Sequence, residues 1–294
     1  MKHISRKSKT YRGFSLVEIL MVIVVISILV ALMLPAFGAI QKMALNMRQK
    51  AQFSGIEVGL EAFKNDFGDY PDSSYLNGYG GAQKLAEAMV GLDGFGVHKN
   101  TDFNANAQDD DGNWLYDVNG TLTLPAYDLP DSLSKRMGPY LETDSSNAVY
   151  LNDITFPATS NSRTQVAAML TQRTMVLADQ FRTAKNNRTN KKTGMPILYC
   201  KAGTYIRNLG YGLIEYKYNF LDNNRYTAFT EYGDLHPWIN FTGAIADVFY
   251  PEIRDNNFAT YNPHRPESFI LISAGPDGNF GTADDVYNFD TDDQ

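Results

Sequence analysis

The hydrophobic pattern changes character once, near residue 37. From Phe14 to Phe37 nearly every position is apolar. Between Ile19 and Leu34 the one polar residue is Ser27, and a single carboxylate, Glu18, stands near the head of the run. As a helix this stretch is about 36 Å long, enough to cross a hydrocarbon core of roughly 30 Å. Beyond it the apolar residues thin out to Phe37, Ile40, Met43/Ala44, Met47, Ala51, Ile56, Leu60, Phe63 and Phe67, mostly three or four apart. That spacing marks one face of an amphipathic helix. Lys42, Arg48, Lys50, Glu57, Glu61 and Lys64 take the other faces. Gly68 and Pro71 are the stop signals, and Pro35 predicts a kink. The pattern thus predicts one long helix over 14–67: a transmembrane segment, 14–37, then an amphipathic half whose stripe a head must cover.

The remainder reads as a head over 68–294. Gly81–Leu92 predicts a short helix, with Leu85, Met89 and Leu92 on one side. Residues 93–162 are rich in Asp, Asn, Gly and Pro and predict loops and small strands. Ser162–Thr183 predicts another helix, through Val166, Met169, Leu170, Val176, Leu177 and Phe181, and Lys185–Lys192 an exposed basic loop. Ile197–Lys201, Leu213–Phe220, Trp238–Phe241 and Ser268–Ser273 are strand candidates. The class is therefore α+β: a long N-terminal helix packed on an antiparallel sheet, with 81–190 as a loop-rich insertion and 196–294 as sheet and C-terminal acidic loop.

Charge adds direction. Lys2, Arg6, Lys7, Lys9 and Arg12 precede the apolar run, with no acid among residues 1–13. Such a flank stays in the cytoplasm, which puts the head on the far side of the membrane. Removing those five cations takes the formal net charge from −7 to −12. A body that acidic argues against nucleic acid as a partner. The apolar run exceeds the 7–15 residues of a secretory signal peptide. The single cysteine, Cys200, lies in an apolar strand candidate and reads as a buried small residue. His3, His98, His236 and His264 form no zinc spacing, and no nucleophile elbow, P-loop or dinucleotide fingerprint occurs. Gly78–Gly81 reads as a flexible turn, not a phosphate cradle. No enzymatic activity is expected.

Gly13-Phe14-Ser15-Leu16-Val17-Glu18 followed by the apolar helix resembles the class III signal of type IV prepilins and type II secretion pseudopilins. The resemblance implies a pilin-like fold. It also implies cleavage between Gly13 and Phe14 by prepilin peptidase, and N-methylation of Phe14. Glu18 falls at the family's fifth mature position, and Pro35 at the proline that commonly follows the span. An acid embedded in lipid needs a partner. The α-amino group of Phe14 on a neighbouring helix shifted along the axis would supply one. Further implied are a helical homo-oligomeric fibre, an inner-membrane assembly platform with its ATPase, minor pseudopilins as companions, and an inner-membrane then periplasmic location. The secretion reading stands beside two alternatives: a type IV pilin or competence pseudopilin, and a pilus-associated adhesin or ligand-binding module using the insertion.

The carboxyl end carries a second motif. The strand candidate Ser268–Ser273 runs into Gly275-Pro276-Asp277-Gly278 and Gly281-Thr282-Ala283-Asp284-Asp285, and no Lys or Arg follows Arg265. Calcium takes six to eight oxygens from carboxylates and carbonyls, and a glycine-rich acidic loop can fold around it. Asp277, Asn279, Asp284 and Asp285 are available, with Ser273 at the base. The spacing is not that of an EF-hand. It resembles the C-terminal calcium loop of the major pseudopilin, carrying over best at Asp277 and Asp285. Gln108-Asp109-Asp110-Asp111-Gly112-Asn113, with Asp117, misses both key EF-hand positions and reads as a flexible polar loop.

Overall fold

The computed structural model describes residues 13–76, 79–118, 120–122, 127–142, 146–155, 173–203, 217–223, 249–258 and 262–290. Side chains of 32, 34–36, 39, 220, 221 and 250 lie outside that description. The described chain divides into two compact units, residues 1–44 and 45–294.

Helix α1 spans Leu16–Phe67, with helical backbone continuing through Pro35. Its first part, within residues 14–44, is exposed at every described side chain. The predicted amphipathic stripe is covered for only part of its length. Gln49, Phe53, Ile56, Leu60 and Phe63 are buried, whereas Ile40, Met43, Met47 and Ala51 are exposed. The head therefore claims α1 from about Gln49 onward, which is why the division into units falls near Ala44 and not at the helix end.

The head is built on a three-stranded antiparallel sheet in the order β10-β9-β8, with β8 Leu198–Lys201, β9 Phe269–Ser273 and β10 Val286–Tyr287. Leu198 pairs with Ile272 and Lys201 with Phe269. Alternate side chains of a strand face opposite sides. Tyr199, Phe269 and Leu271 pack with Phe53, Ile56, Leu60 and Phe63 of α1 and with Leu85 and Met89 of α2 (Gly81–Val90). Leu198, Cys200, Ile270 and Ile272 face a second cluster with Leu115, Tyr116, Phe249 and Phe280. Burial on both faces explains the unbroken apolar run Phe269-Ile270-Leu271-Ile272. Cys200 is buried, as the sequence suggested.

Gly80 and Gly81 do not form a flexible turn. A Cβ at Gly81 would stand 1.9 Å from the Tyr199 carbonyl oxygen, and Asn223 ties the two segments by accepting from Ala82 N–H and donating to Tyr199 O, both at 2.9 Å. Glycine is needed there for the start of α2 to lie against β8.

Short strands occur between residues 97 and 193. β1 (Val97–His98) pairs with β2 (Arg136–Met137), which follows α3 (Leu129–Ser134). β3 (Ala148–Tyr150) pairs with β5 (Met175–Leu177). β4 (Ile154–Thr155) joins β6 (Ala184–Asn186) and β7 (Lys191–Thr193) in a three-stranded sheet of order β4-β6-β7. Two expectations are corrected here. The helix predicted over Ser162–Thr183 is a strand at Met175–Leu177, where a short buried apolar run satisfies either period. The basic loop predicted over Lys185–Lys192 is a β-hairpin. The described end of the strand candidate Leu213–Phe220 is not strand, and its last residue opens a 3₁₀ turn, Phe220–Asn223. A last short helix, α4, covers Phe249–Glu252. The leader 1–12, residues 162–172 of the predicted helix, and the strand candidates at 213–216 and 238–241 lie outside the described residues.

Candidate functional site

Two places gather the predicted functional residues, one in each unit. In the first, Gly13, Phe14 and Ser15 precede the helix in non-helical backbone. Gly13 has open space around it, and Phe14 is 84 % exposed. The Gly13–Phe14 bond is thus reachable. Immediately beyond it Ser15 and Glu18 close a reciprocal cap. Ser15 N–H donates to Glu18 Oε2 at 2.8 Å, and Glu18 N–H donates to Ser15 Oγ at 3.2 Å. Ser-x-x-Glu is the capping-box spacing, and it satisfies two of the orphan N–H groups at a helix start. A carboxylate there is further favoured by the helix dipole. Glu18 therefore has a local task as well as the one its position suggested. Oε2 is engaged by the chain's own Ser15, while Oε1 is open to a second donor.

The apolar run behind it has its one polar side chain satisfied within the helix. Ser27 Oγ donates to Ile23 O at 2.7 Å, so its hydroxyl is satisfied inside the helix. Every described large apolar side chain from Phe14 to Met33 is between 48 % and 84 % exposed. Among the described residues no helical stretch is long and apolar enough to cross a membrane. The described side chains run unbroken only from Leu16 to Ala31, because that of Leu32 is outside the description. Pro35, predicted to matter for assembly, is inside α1, and its side chain is likewise outside the described set.

In the second unit the structure brings Asp277, Asn279, Asp284 and Asp285 into the one loop between β9 and β10. The loop is tight. Gly275 has φ +61°, and a Cβ there would stand 2.1 Å from the Asp284 carbonyl oxygen. Asp277 N–H and Thr282 Oγ donate to the two Asp284 oxygens at 3.0 and 2.6 Å, Asn279 N–H donates to Asp277 Oδ1, and Gly281 N–H donates to Asp285 Oδ2 at 2.7 Å. Asp285 is buried at 1 % exposure. Burial pushes its pKa well above the carboxylate range. The Gly281 N–H opposes that shift, and the charges of Glu252, Asp284 and Asp277 add to it. Oxygen donors of the right kind for calcium are therefore concentrated here. Yet among the described residues no three His, Cys, Asp or Glu side chains are spaced to hold a metal ion. Three predicted ligands instead receive loop N–H groups, for which a cation would have to compete.

Ser273 is the clearest departure from the predicted ligand set. Its hydroxyl donates to Asp179 Oδ2 at 2.9 Å. Asp179 is fully buried and accepts on Oδ1 from the Phe181 and Met195 N–H groups at 3.1 and 3.2 Å. Desolvation dominates these donors and lifts its pKa to about 7. A second buried acid, Glu87 in α2, accepts from Tyr79 and Thr101 hydroxyls, both at 2.5 Å, and burial again raises its pKa. Neither acid was singled out from sequence. Glu87 is completed by partners 8 and 14 residues away and Asp179 by one 94 residues away, and only the apolar setting of Asp179, after Met175–Ala178, hints at burial.

Residues 8–34 match the prokaryotic N-terminal methylation motif. This is the signal of a type IV pilin-like precursor processed by prepilin peptidase, and it is shared by pilins and pseudopilins. The pilin-like family that this motif describes is a structural one. The match takes in Gly13, Phe14, Ser15 and Glu18 and covers less than a tenth of the chain. No curated protein and no solved structure matches the chain.

Proposed function

We propose that this chain is a structural subunit of a type II secretion pseudopilus, most like the major one. Prepilin peptidase cuts between Gly13 and Phe14 and methylates Phe14. The precursor rests in the inner membrane through residues 14–37, with its head in the periplasm. An assembly ATPase and a membrane platform then lift it into a helical fibre with minor pseudopilins. The observation that carries this reading is the run from Phe14 to Met33, apolar and outward-facing along its described length. Surface of that kind requires lipid or other helices around it. Its one acid, capped by Ser15 through Oε2, keeps Oε1 for the amine that cleavage creates on a neighbour. In low dielectric that ion pair is strong and specific to one axial register. The test is expression with a prepilin peptidase and a secretion machinery. The account predicts Phe14-methylated chains in sheared periplasmic fibres. Processed chains that stay monomeric in the membrane would contradict it.

For the β9–β10 loop we propose calcium as the resident ion, with Asp277, Asp284 and Asp285 as its acids. Support comes from the buried Asp285 among neighbouring carboxylates and from the absence of any Lys or Arg after Arg265. Clustered carboxylates without basic partners repel unless a cation intervenes. The resemblance of this loop to that of the major pseudopilin favours secretion over a type IV pilin or competence role.

A further inference from the structure

The hairpin β6–β7 is basic in an acidic protein. Lys185, Arg188, Lys191 and Lys192 are all exposed, and among the described residues none of them makes an ion pair. The register places Lys185 directly opposite Lys192, so the two ammonium groups share one face of the sheet. Like charges directly opposed across strands destabilise a sheet. Their inner neighbours, Ala184 and Thr193, are buried as a pair, so a register slip that separated the lysines would expose the core face. The tip is preorganised. Asn186 Oδ1 accepts from the N–H groups of Arg188 and Thr189 at 3.0 and 2.9 Å. Asp153, whose backbone oxygen accepts from Asn187 of the hairpin, has its carboxylate paired with Arg173 at 2.7 Å. The hairpin thus holds four exposed cations, two of them in mutual repulsion, with no anion supplied by the described residues of its own copy.

The complement lies elsewhere on the same chain. Between Lys99 and Lys135 the sequence has no cation and seven aspartates. Asp110 and Asp111 are exposed at the top of this segment, and their carboxylates make no hydrogen bond or ion pair among the described residues. Their loop is also stiff. Asn113 donates twice to Asp109, at 2.8 and 3.1 Å, and Asp110 N–H donates to Asp102 at 3.2 Å.

We infer that the β6–β7 hairpin docks on the Asp110–Asp111 loop of a second copy of this chain. The contact is heterologous: one copy gives its basic patch, the next its acidic one. Repeated head to tail by a rotation that does not close, such a contact propagates along a fibre. It rests on the fibre reading above. Charge complementarity of this kind sets partner and register more than affinity.

The test is a charge swap in full-length protein expressed with its assembly machinery. Lys185→Glu with Lys192→Glu should reduce fibre at least tenfold, and so should Asp110→Lys with Asp111→Lys. All four changes together should restore most of it. Melting temperatures should stay within a few degrees of wild type throughout, since all four side chains are exposed. Normal fibres from either double variant would overturn the inference while leaving the fibre reading intact. Loss without restoration in the combined variant would also overturn it, because the hairpin would then serve another anion, such as a phosphoglycerol lipid surface. Absence of fibre from the wild-type chain would instead remove the fibre reading and this contact with it.

Discussion

Helix α1 is one element with two kinds of surface, and the contrast separates assembly from folding. From Leu16 to Met33 it turns its described apolar side chains outward, and its polar groups are satisfied by the Ser15–Glu18 cap and the Ser27–Ile23 bond. From Gln49 to Phe63 it turns Phe53, Ile56, Leu60 and Phe63 into a core shared with α2 and the sheet. Secondary structure is the same in both parts. What differs is the partner: the chain's own core covers the second, and under the proposed function lipid or neighbouring helices cover the first. Mutations should divide along that line.

The largest effect is expected in the first part. Glu18→Ala should leave membrane insertion intact and lower fibre yield at least tenfold, read by shearing and immunoblot. Normal fibres would erase the distinction. Next comes Leu60→Ala in the second part, where removing a fully buried side chain typically costs about 2–5 kcal/mol. Urea unfolding should show that loss. Insertion of the N-terminal part should be unaffected.

A smaller effect is expected at the C-terminal loop. A calcium chelator should lower the head's melting temperature by a few degrees, on the scale of about 1–2 kcal/mol. Asp277→Ala should abolish the chelator difference. A wild-type head indifferent to chelation would remove calcium from the account.

The pH dependence of the head sharpens the same boundary. Asp179 holds its proton to about pH 7 when folded, against an ordinary value of 3.8. Between those values the folded state binds more protons than the unfolded one, so its contribution to stability is full at low pH and is lost as pH rises to about 7. Asp69 and Asp72, drawn down mainly by Lys201 and Lys84 against the opposing effect of burial, change in the other direction at lower pH. The informative quantity is therefore the wild-type melting temperature minus that of Asp179→Asn. It should fall between pH 4 and 7 and level off above. A flat difference would show that Asp179 does not titrate there. The smallest effect is expected from Ser15→Ala, which removes one half of the cap and should cost about 1 kcal/mol of local helix stability. It would be seen as faster amide exchange at the first turn.

Legibility in the sequence followed the range of the interactions. The continuous run at 14–37, the strand at 268–273 and the helix starting at Gly81 were readable because period and punctuation are local signals. Phe53 escaped the predicted stripe, and Met47 and Ala51 were counted into it, because only the head decides which turn it covers. The strand at Met175–Leu177 is not legible as one, because Met175–Ala178 is four consecutive buried apolar residues, which carry no period. At the candidate sites, Gly13, Phe14 and Glu18 were legible as a motif, and Asp277, Asp284 and Asp285 as a loop. The Ser15 cap was present as Ser-x-x-Glu but hidden inside the larger motif. Asp179 could not be found, since its meaning depends on Ser273 and Met195, which the fold alone brings to it.

The most direct measurement is the mass of the N-terminal peptide from protein isolated out of its native membrane. The account predicts a chain that begins at Phe14 and carries one added methyl group on its amine. A chain that retains residues 1–13, or one cut beyond the apolar run, would contradict it.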